Sequence, residues 1–293
     1  MNQGGGPPRL YKGRDPYARD DESTVGPSLG FGDPRSTRAM TSHIGMTPGR
    51  ELAGKVVLVT GGARNIGRAI AQSLAAGGAS IMVNARQARD DVDETVRLIE
   101  ATGGDAACCL ADVTDPRAVA AMVSATVTRF GRLDALVNNA ASRTEQAFAD
   151  MSFADWRSIV SVILDGAFLC SHACLPHLIR AGGGTIVNIG GETGHKGAAD
   201  RAHVVTAKAG LAGLTKALAL DLAPQRITVN CVVPGRIETV REAPAPGPHR
   251  SAPPLGRFGR PEEVAAMVRM LCGPDARYIT GQSIHVNGGG YMP

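Results

Sequence analysis

One feature constrains this chain more than any other: an alternation of two patterns that begins at Lys55. "VVLVT" (56–60) is a continuous apolar, β-branched run, as expected of a strand buried on both faces. A glycine-rich turn and an amphipathic stretch, "GRAIAQSLAAGG", follow, and then a second strand-like run, "SIMVNAR" (80–86). The alternation continues through helix 90–102, strand 106–112, helix 116–130, strand 135–140, helix 155–180, strand 184–190, helix 204–222, strand 228–234, helix 261–273 and strand 283–289. Strands separated by helices form βαβ units, which place strands parallel and cover both faces of the sheet. The expectation is an α/β chain with a doubly wound seven-stranded parallel sheet and helices on both faces.

Outside this alternation the composition changes. Residues 1–50 are rich in Gly, Pro, Arg and Asp and read as a flexible N-terminal arm, leaving 51–293 as one domain. A Pro- and Gly-rich stretch, "APAPGPHRSAPPLG" (243–256), breaks the pattern between the sixth and seventh strands. The whole segment, about 237–256, is an active-site lid or a floppy loop. The lid reading gains from its place after a strand's C-terminal end, where ligands bind such sheets.

Composition excludes several function classes. The apolar fraction, 43%, is diluted by 37 glycines and 18 prolines, yet a chain of 293 residues still buries a sizeable core. Net charge is +4 with no long Lys/Arg run, which argues against a nucleic-acid partner. No apolar run approaches the ~20 residues of a membrane helix, and the first residues lack a secretory signal's apolar core, so a cytoplasmic protein with no membrane partner is expected. Six cysteines form no CxxC pair and no zinc spacing, the usage of reduced thiols packed as small hydrophobes, and no metal site is expected.

"TGGARNIG" (60–67) follows the first strand and opens a helix. Glycines there permit a tight turn and close backbone approach to a phosphate, and the helix N-terminus offers unpaired N–H groups to a pyrophosphate. With the segments downstream, the chain resembles the short-chain dehydrogenase/reductase family over residues 52–290. The Thr-Gly-x-x-x-Gly-x-Gly motif of that family maps onto Thr60, Gly61 and Gly67, with Asn65 at the middle glycine and Ile66 between. Asn tolerates left-handed backbone better than other non-glycine residues, so the departure is mild. Asp112 and Val113 resemble the pair that contacts adenine, and "NNAA" (138–141), with Asn139 and Ala140, resembles the segment lining the cofactor. "PGRIET" (234–239), with Pro234, Gly235 and Ile237, looks like the segment beside the nicotinamide carboxamide. The resemblance implies a single-domain Rossmann fold, a small-molecule substrate and a homo-oligomer, tetramer or dimer, packed through helices 155–180 and 204–222 and the last strand.

NAD selection needs an acid at the end of the second strand for the ribose 2′-hydroxyl. Here that strand ends with Ala85 followed by Arg86, and Arg64 sits in the glycine turn on the same side. Two guanidiniums and no carboxylate point to NADP(H) through charge-assisted bonds to the 2′-phosphate. The alternative is that both arginines are solvated surface charges.

The resemblance fails at the chemistry. Of the family's catalytic Asn, Ser, Tyr and Lys, only the lysine survives, as Lys208; Val204 stands for the tyrosine, Gly191 for the serine and Ile163 for the asparagine. A positioned general acid contributes ~100- to 10,000-fold, so reduction of an ordinary ketone is expected to be absent or severely slowed. Lys208 retains a role on the nicotinamide ribose, with a catalytic acid role second. His203 and Glu192 are the first candidates for a replacement proton donor, although consecutive helix positions diverge by ~100° and His203 need not face the site. Two readings remain. One is an NADP(H)-dependent oxidoreductase acting on a conjugated C=C or a C=N. The other is a cofactor-binding protein without redox turnover, such as a non-redox cyclase or lyase, a sensor or a scaffold subunit.

Overall fold

A computed structural model describes residues 49–239 and 252–293. The expected N-terminal arm, save its last two residues, and the middle of the expected lid lie outside the described residues. Within them, β1 (Val56–Val59) pairs with β2 (Ser80–Ala85) on one side and β4 (Ala135–Asn138) on the other, both parallel. The sheet is completed by β3 (Ala106–Leu110), β5 (Gly184–Ile189), β6 (Ile227–Pro234) and β7 (Ser283–Val286), all parallel, in the order β3-β2-β1-β4-β5-β6-β7. The expected seven-stranded doubly wound sheet is therefore present. The chain walks from β1 to β3 in one direction and then crosses to β4, so the strand order reverses between β1 and β4. A crevice opens at the carboxyl ends of strands at such a reversal.

Each face of the sheet carries its own core. Helices α1 (Asn65–Ala76) and α2 (Arg89–Glu100) cover one face with Ile70, Leu74, Val92 and Ile99. On the other, α3 (Pro116–Phe130) contributes Val119 and Met122. Asp115 caps α3 by accepting from Arg117 N, Pro116 starts it without losing a needed donor, and Gly131 at φ +80° ends it. A capping box of Ser152 and Asp155 starts α4 (Phe153–Val160). A π-helical turn, Ser161–Asp165, then leads into α5 (Gly166–Arg180). A four-residue helix α6 (Thr193–Lys196) follows β5, before α7 (Ala202–Leu222) and α8 (Pro261–Cys272). A third apolar cluster joins α4 and the π turn to α7 through Ile159, Ile163, Val204, Ala207 and Leu211.

One expectation is corrected. The stretch Phe153–Arg180 is long and apolar enough, by length and composition alone, to cross a membrane. Its apolarity has a local cause: Cys170, Cys174 and Leu178 are buried in the core that α5 shares with α3, β4 and β5. All six cysteines are free, as expected from their spacing.

Candidate active site

The crevice between β1 and β4 widens into a cleft of about 860 Å³. Its first half is built by backbone. Thr60 Oγ1 donates to Val137 O at 3.2 Å and accepts from the N–H groups of Asn139 at 3.0 Å and Ala140 at 3.1 Å. Asn139 Nδ2 donates back to Thr60 O at 3.0 Å and Gly61 O at 2.8 Å, so the ends of β1 and β4 are stitched together. Gly61 has φ +61°, and a Cβ built on Gly67 falls 2.1 Å from Gly61 O, so no side chain fits at that contact. Asn65 takes the left-handed backbone its position requires, at φ +51°. No side chain caps α1, and Arg64, Asn65, Ile66 and Gly67 all line the cleft around its N-terminus. The first-turn N–H groups and the dipole at that end suit an anion.

Asn84 at the end of β2 supports this turn from below. Its Oδ1 accepts from Gly61 N at 3.4 Å, and its Nδ2 donates to Cys109 O and Ala111 O at 3.2 and 3.0 Å. Asp112 and Val113 line the cleft beyond. The Asp112 Oδ1 accepts from Thr114 N at 2.9 Å and Thr114 Oγ1 at 2.7 Å, and these bonds hold its carboxyl below the usual range. Ala85 is buried at the end of β2 and Arg86 is exposed beside it. Arg64 Nε lies 3.4 Å from Asp91 Oδ2, so a carboxylate of α2 shares that guanidinium's surroundings.

The second half is built by side chains. Pro234, Gly235 and Ile237 at the end of β6, Ile163 of the π turn, Gly191 after β5, and Val204 and Lys208 of α7 face one volume. Lys208 Nζ donates to Ile189 O at 2.6 Å. Burial disfavours its charge and lowers its pKa to about 8. Val204 and Ile163 are 6% and 2% exposed. At Gly191 the space is open, since the nearest atom to a built Cβ is Lys208 Cγ at 3.9 Å. Among the described residues, Tyr278 is fully exposed and Tyr291 packs against the rings of His195 and His285; neither lines the cleft.

With this geometry in place, a family model described as "Enoyl-(Acyl carrier protein) reductase" matches residues 61–291. The chain belongs to the short-chain dehydrogenase/reductase family. It is 39% identical to the 3-oxoacyl-[acyl-carrier-protein] reductase of a Synechocystis strain, over 82% of this chain and 98% of that one. It is 38% identical to 3-oxoacyl-[acyl-carrier-protein] reductase FabG of Staphylococcus aureus, over 81% of this chain and 98% of the relative. A crystal structure of a dehydrogenase/reductase from Sinorhizobium meliloti superposes with a TM-score of 0.79 at 35% identity, covering 83% of this chain and 98% of that one. Acetoin dehydrogenase YohF from Salmonella typhimurium does so with 0.74 at 36% identity, covering 80% and 95%.

Within this short-chain dehydrogenase/reductase site, the two expected proton donors fall differently. Glu192 lines the cleft and is buried, but its Oε1 is 2.9 Å from Lys196 Nζ on α6, a lysine that also donates to Gly290 O. His203 does not line the cleft, and its expected place there is corrected. The step of ~100° from Val204 turns its ring inward. The ring is fully buried, with Nε2 3.1 Å from Thr144 Oγ1. The described ends of the expected lid lie near the site: Ile237 bridges to Gly259, and Leu255 N donates to Gly288 O.

The sequence pattern did not single out Arg143, Lys196, Arg201 or Arg236, all of which line the cleft. A signal existed for Arg143, which stands two residues beyond "NNAA" in the loop leaving the carboxyl end of β4. Loops at that end of a parallel sheet are where ligands are held.

Proposed function

We propose that the protein is an NADP(H)-dependent reductase whose substrate is already activated, a conjugated C=C or a C=N, and needs no phenolic acid. One observation carries this reading: Val204, Ile163 and Gly191 wall the volume beside Lys208, and none of the three side chains can give a proton. The dinucleotide half fits the cofactor, because Gly61 and Gly67 leave a cradle that any Cβ would fill and the N-terminus of α1 is uncapped. Bound there, the cofactor supplies the hydride.

The remaining steps belong to the chain. Hydride arriving at an isolated ketone leaves an alkoxide that needs an acid at once, and the absence of one forfeits ~100- to 10,000-fold. An iminium already carries the positive charge. A conjugated acceptor spreads the new negative charge to a distant oxygen that water can protonate. Lys208, with a pKa lowered to about 8, holds a cation at the floor of this volume and is suited to the ribose hydroxyls or to an enolate oxygen. The 3-oxoacyl reductases among the relatives are named for ketone chemistry; the family model's description names an enoyl substrate. The apolar wall favours the second kind of acceptor. NADPH is favoured over NADH by Ala85 and by Arg86 and Arg64, all three on the cleft wall.

The expected homo-oligomer belongs to the same proposal, supported by Phe168 of α5 and Leu220 of α7, which are 52% and 80% exposed. The test of function is single-turnover oxidation of deuterated NADPH against panels of conjugated thioesters, conjugated ketones and imines. Deuterium should appear in at least one product. Cofactor binding with no transfer to any panel member favours the cofactor-binding protein without redox turnover.

A further inference from the structure

The loop that leaves β4 passes Ala141, Ser142 and Arg143 along the cleft wall. It is then fastened to the start of α7 at successive residues. Thr144 Oγ1 is 3.1 Å from the buried His203 Nε2, Glu145 pairs with Arg201, and Gln146 N donates to Asp200 O at 2.8 Å. A histidine with no exposed surface thus fixes the residue next to Arg143. The guanidinium held this way acts on the same volume as Lys208, and its charge makes that lysine harder to protonate.

The charges around that volume are lopsided. Beyond the dinucleotide half, the cleft wall carries Arg143, Lys196, Arg201, Lys208 and Arg236 against the single carboxylate of Glu192. Adding Glu145, which faces Arg201, still leaves the cations in excess. Cofactor phosphates do not account for this excess, because the N-terminus of α1, Arg64 and Arg86 serve them from the β1–β2 side. The five cations of the wall come instead from the segments after β4, β5 and β6, on the substrate side.

We propose that Arg143 is a substrate-anchoring residue that holds an anionic group, a carboxylate or a phosphate, on the molecule to be reduced, and that the His203–Thr144 contact positions it. The inference rests on the reading that this cleft takes a reducible substrate. A guanidinium can grip either anion through two parallel charge-assisted bonds, which fixes orientation as well as affinity. The substrate would then lie with its anion at Arg143 and its apolar conjugated part against Ile163 and Val204.

The test reads binding rather than turnover, so it stands apart from the hydride-transfer test. The full-length protein, saturated with NADPH, is titrated with trans-cinnamate, with methyl cinnamate and with crotonyl-coenzyme A, following nicotinamide fluorescence. Cinnamate, crotonyl-coenzyme A or both should bind ~10- to 100-fold more tightly than the methyl ester. Arg143→Gln should abolish that preference and leave NADPH affinity unchanged. A preference confined to cinnamate identifies a carboxylate, and one confined to crotonyl-coenzyme A a phosphate. Thr144→Val should weaken the preference and Thr144→Ser should restore it, a rescue that a purely structural role for the loop does not require. Equal affinity for all three probes, binding of none, or a preference that survives Arg143→Gln overturns the proposal.

Discussion

The two halves of the cleft are held by different means. In the dinucleotide half, Gly61, Gly67 and Asn65 take or permit backbone shapes that few residues can, and Thr60, Asn84 and Asn139 bond mainly to backbone. In the substrate half, the character of the volume is set by three side chains, Val204, Ile163 and Gly191, beside Lys208. A site made of backbone changes only if the fold changes. A site made of side chains can exchange its chemistry through a few substitutions while the fold stays. This separation explains how a chain 39% identical to a 3-oxoacyl reductase can keep the cofactor turn and yet present an apolar wall.

The sharpest way to break the comparison is to write the missing chemistry back. Val204→Tyr with Gly191→Ser places a phenol four residues before Lys208, on the same face of α7, and a hydroxyl where a built Cβ has 3.9 Å of clearance. Reduction of a 3-oxoacyl thioester should rise ~100- to 10,000-fold over the unmodified protein. Steady-state rates with NADPH measure this, and melting curves check that the larger ring fits beside Ile163. A folded, cofactor-binding double variant with no gain would mean that the substrate half differs by more than these side chains.

A smaller effect tests the other half. Gly67→Ala forces a methyl against Gly61 O at 2.1 Å. Overpacking of this kind costs about 1–3 kcal/mol. If the strain falls on the turn, NADPH affinity drops ~10- to 100-fold while circular dichroism keeps the α/β signature. Unchanged affinity by fluorescence titration would show that the turn is not the cofactor's seat. Arg86→Ala is milder still. It should lower NADPH affinity by ~10-fold and leave NADH affinity alone, since a charge-assisted bond to the 2′-phosphate is what it removes. Equal losses with both cofactors would assign Arg86 to the surface instead.

The contrast between the halves also governs how much was legible in the sequence. β-branched runs located all seven strands, and the glycine turn located the dinucleotide half, because both depend on local residue pattern. The left-handed Asn65 was readable for the same reason. The π turn at Ser161–Asp165 was not, since one extra residue in a turn leaves the apolar pattern of a long helix almost unchanged. Neither was the fastening of 144–146 to α7, which joins residues 59 apart in the chain for Thr144 and His203. His203 looked catalytic because it adjoins Val204 in sequence; on a helix, adjacency in sequence separates side chains in direction. Glu192 does lie on the cleft wall, yet its ion pair with Lys196 depends on α6, a helix too short to announce itself.

The smallest expected effect concerns Lys208, the one residue both halves share. Its folded pKa of about 8 lies below the ordinary lysine value of 10.5 because burial disfavours the ammonium. Folding therefore favours the neutral lysine. The stability this contributes is present above the unfolded pKa and is lost as pH falls through the folded value of about 8. Function runs the opposite way if the ammonium is the working form, whether it bonds the ribose or an enolate oxygen. At a pH equal to a pKa of about 8, half of the molecules have lost the charge, so NADPH-dependent rates should be ~2-fold below their plateau. They should fall further with each added unit of pH. Arginine stays charged throughout this range, so Lys208→Arg should flatten the decline even if it lowers the plateau. A decline that persists in Lys208→Arg would place the titrating group elsewhere, and would remove the reason for assigning the cation of the substrate half to Lys208.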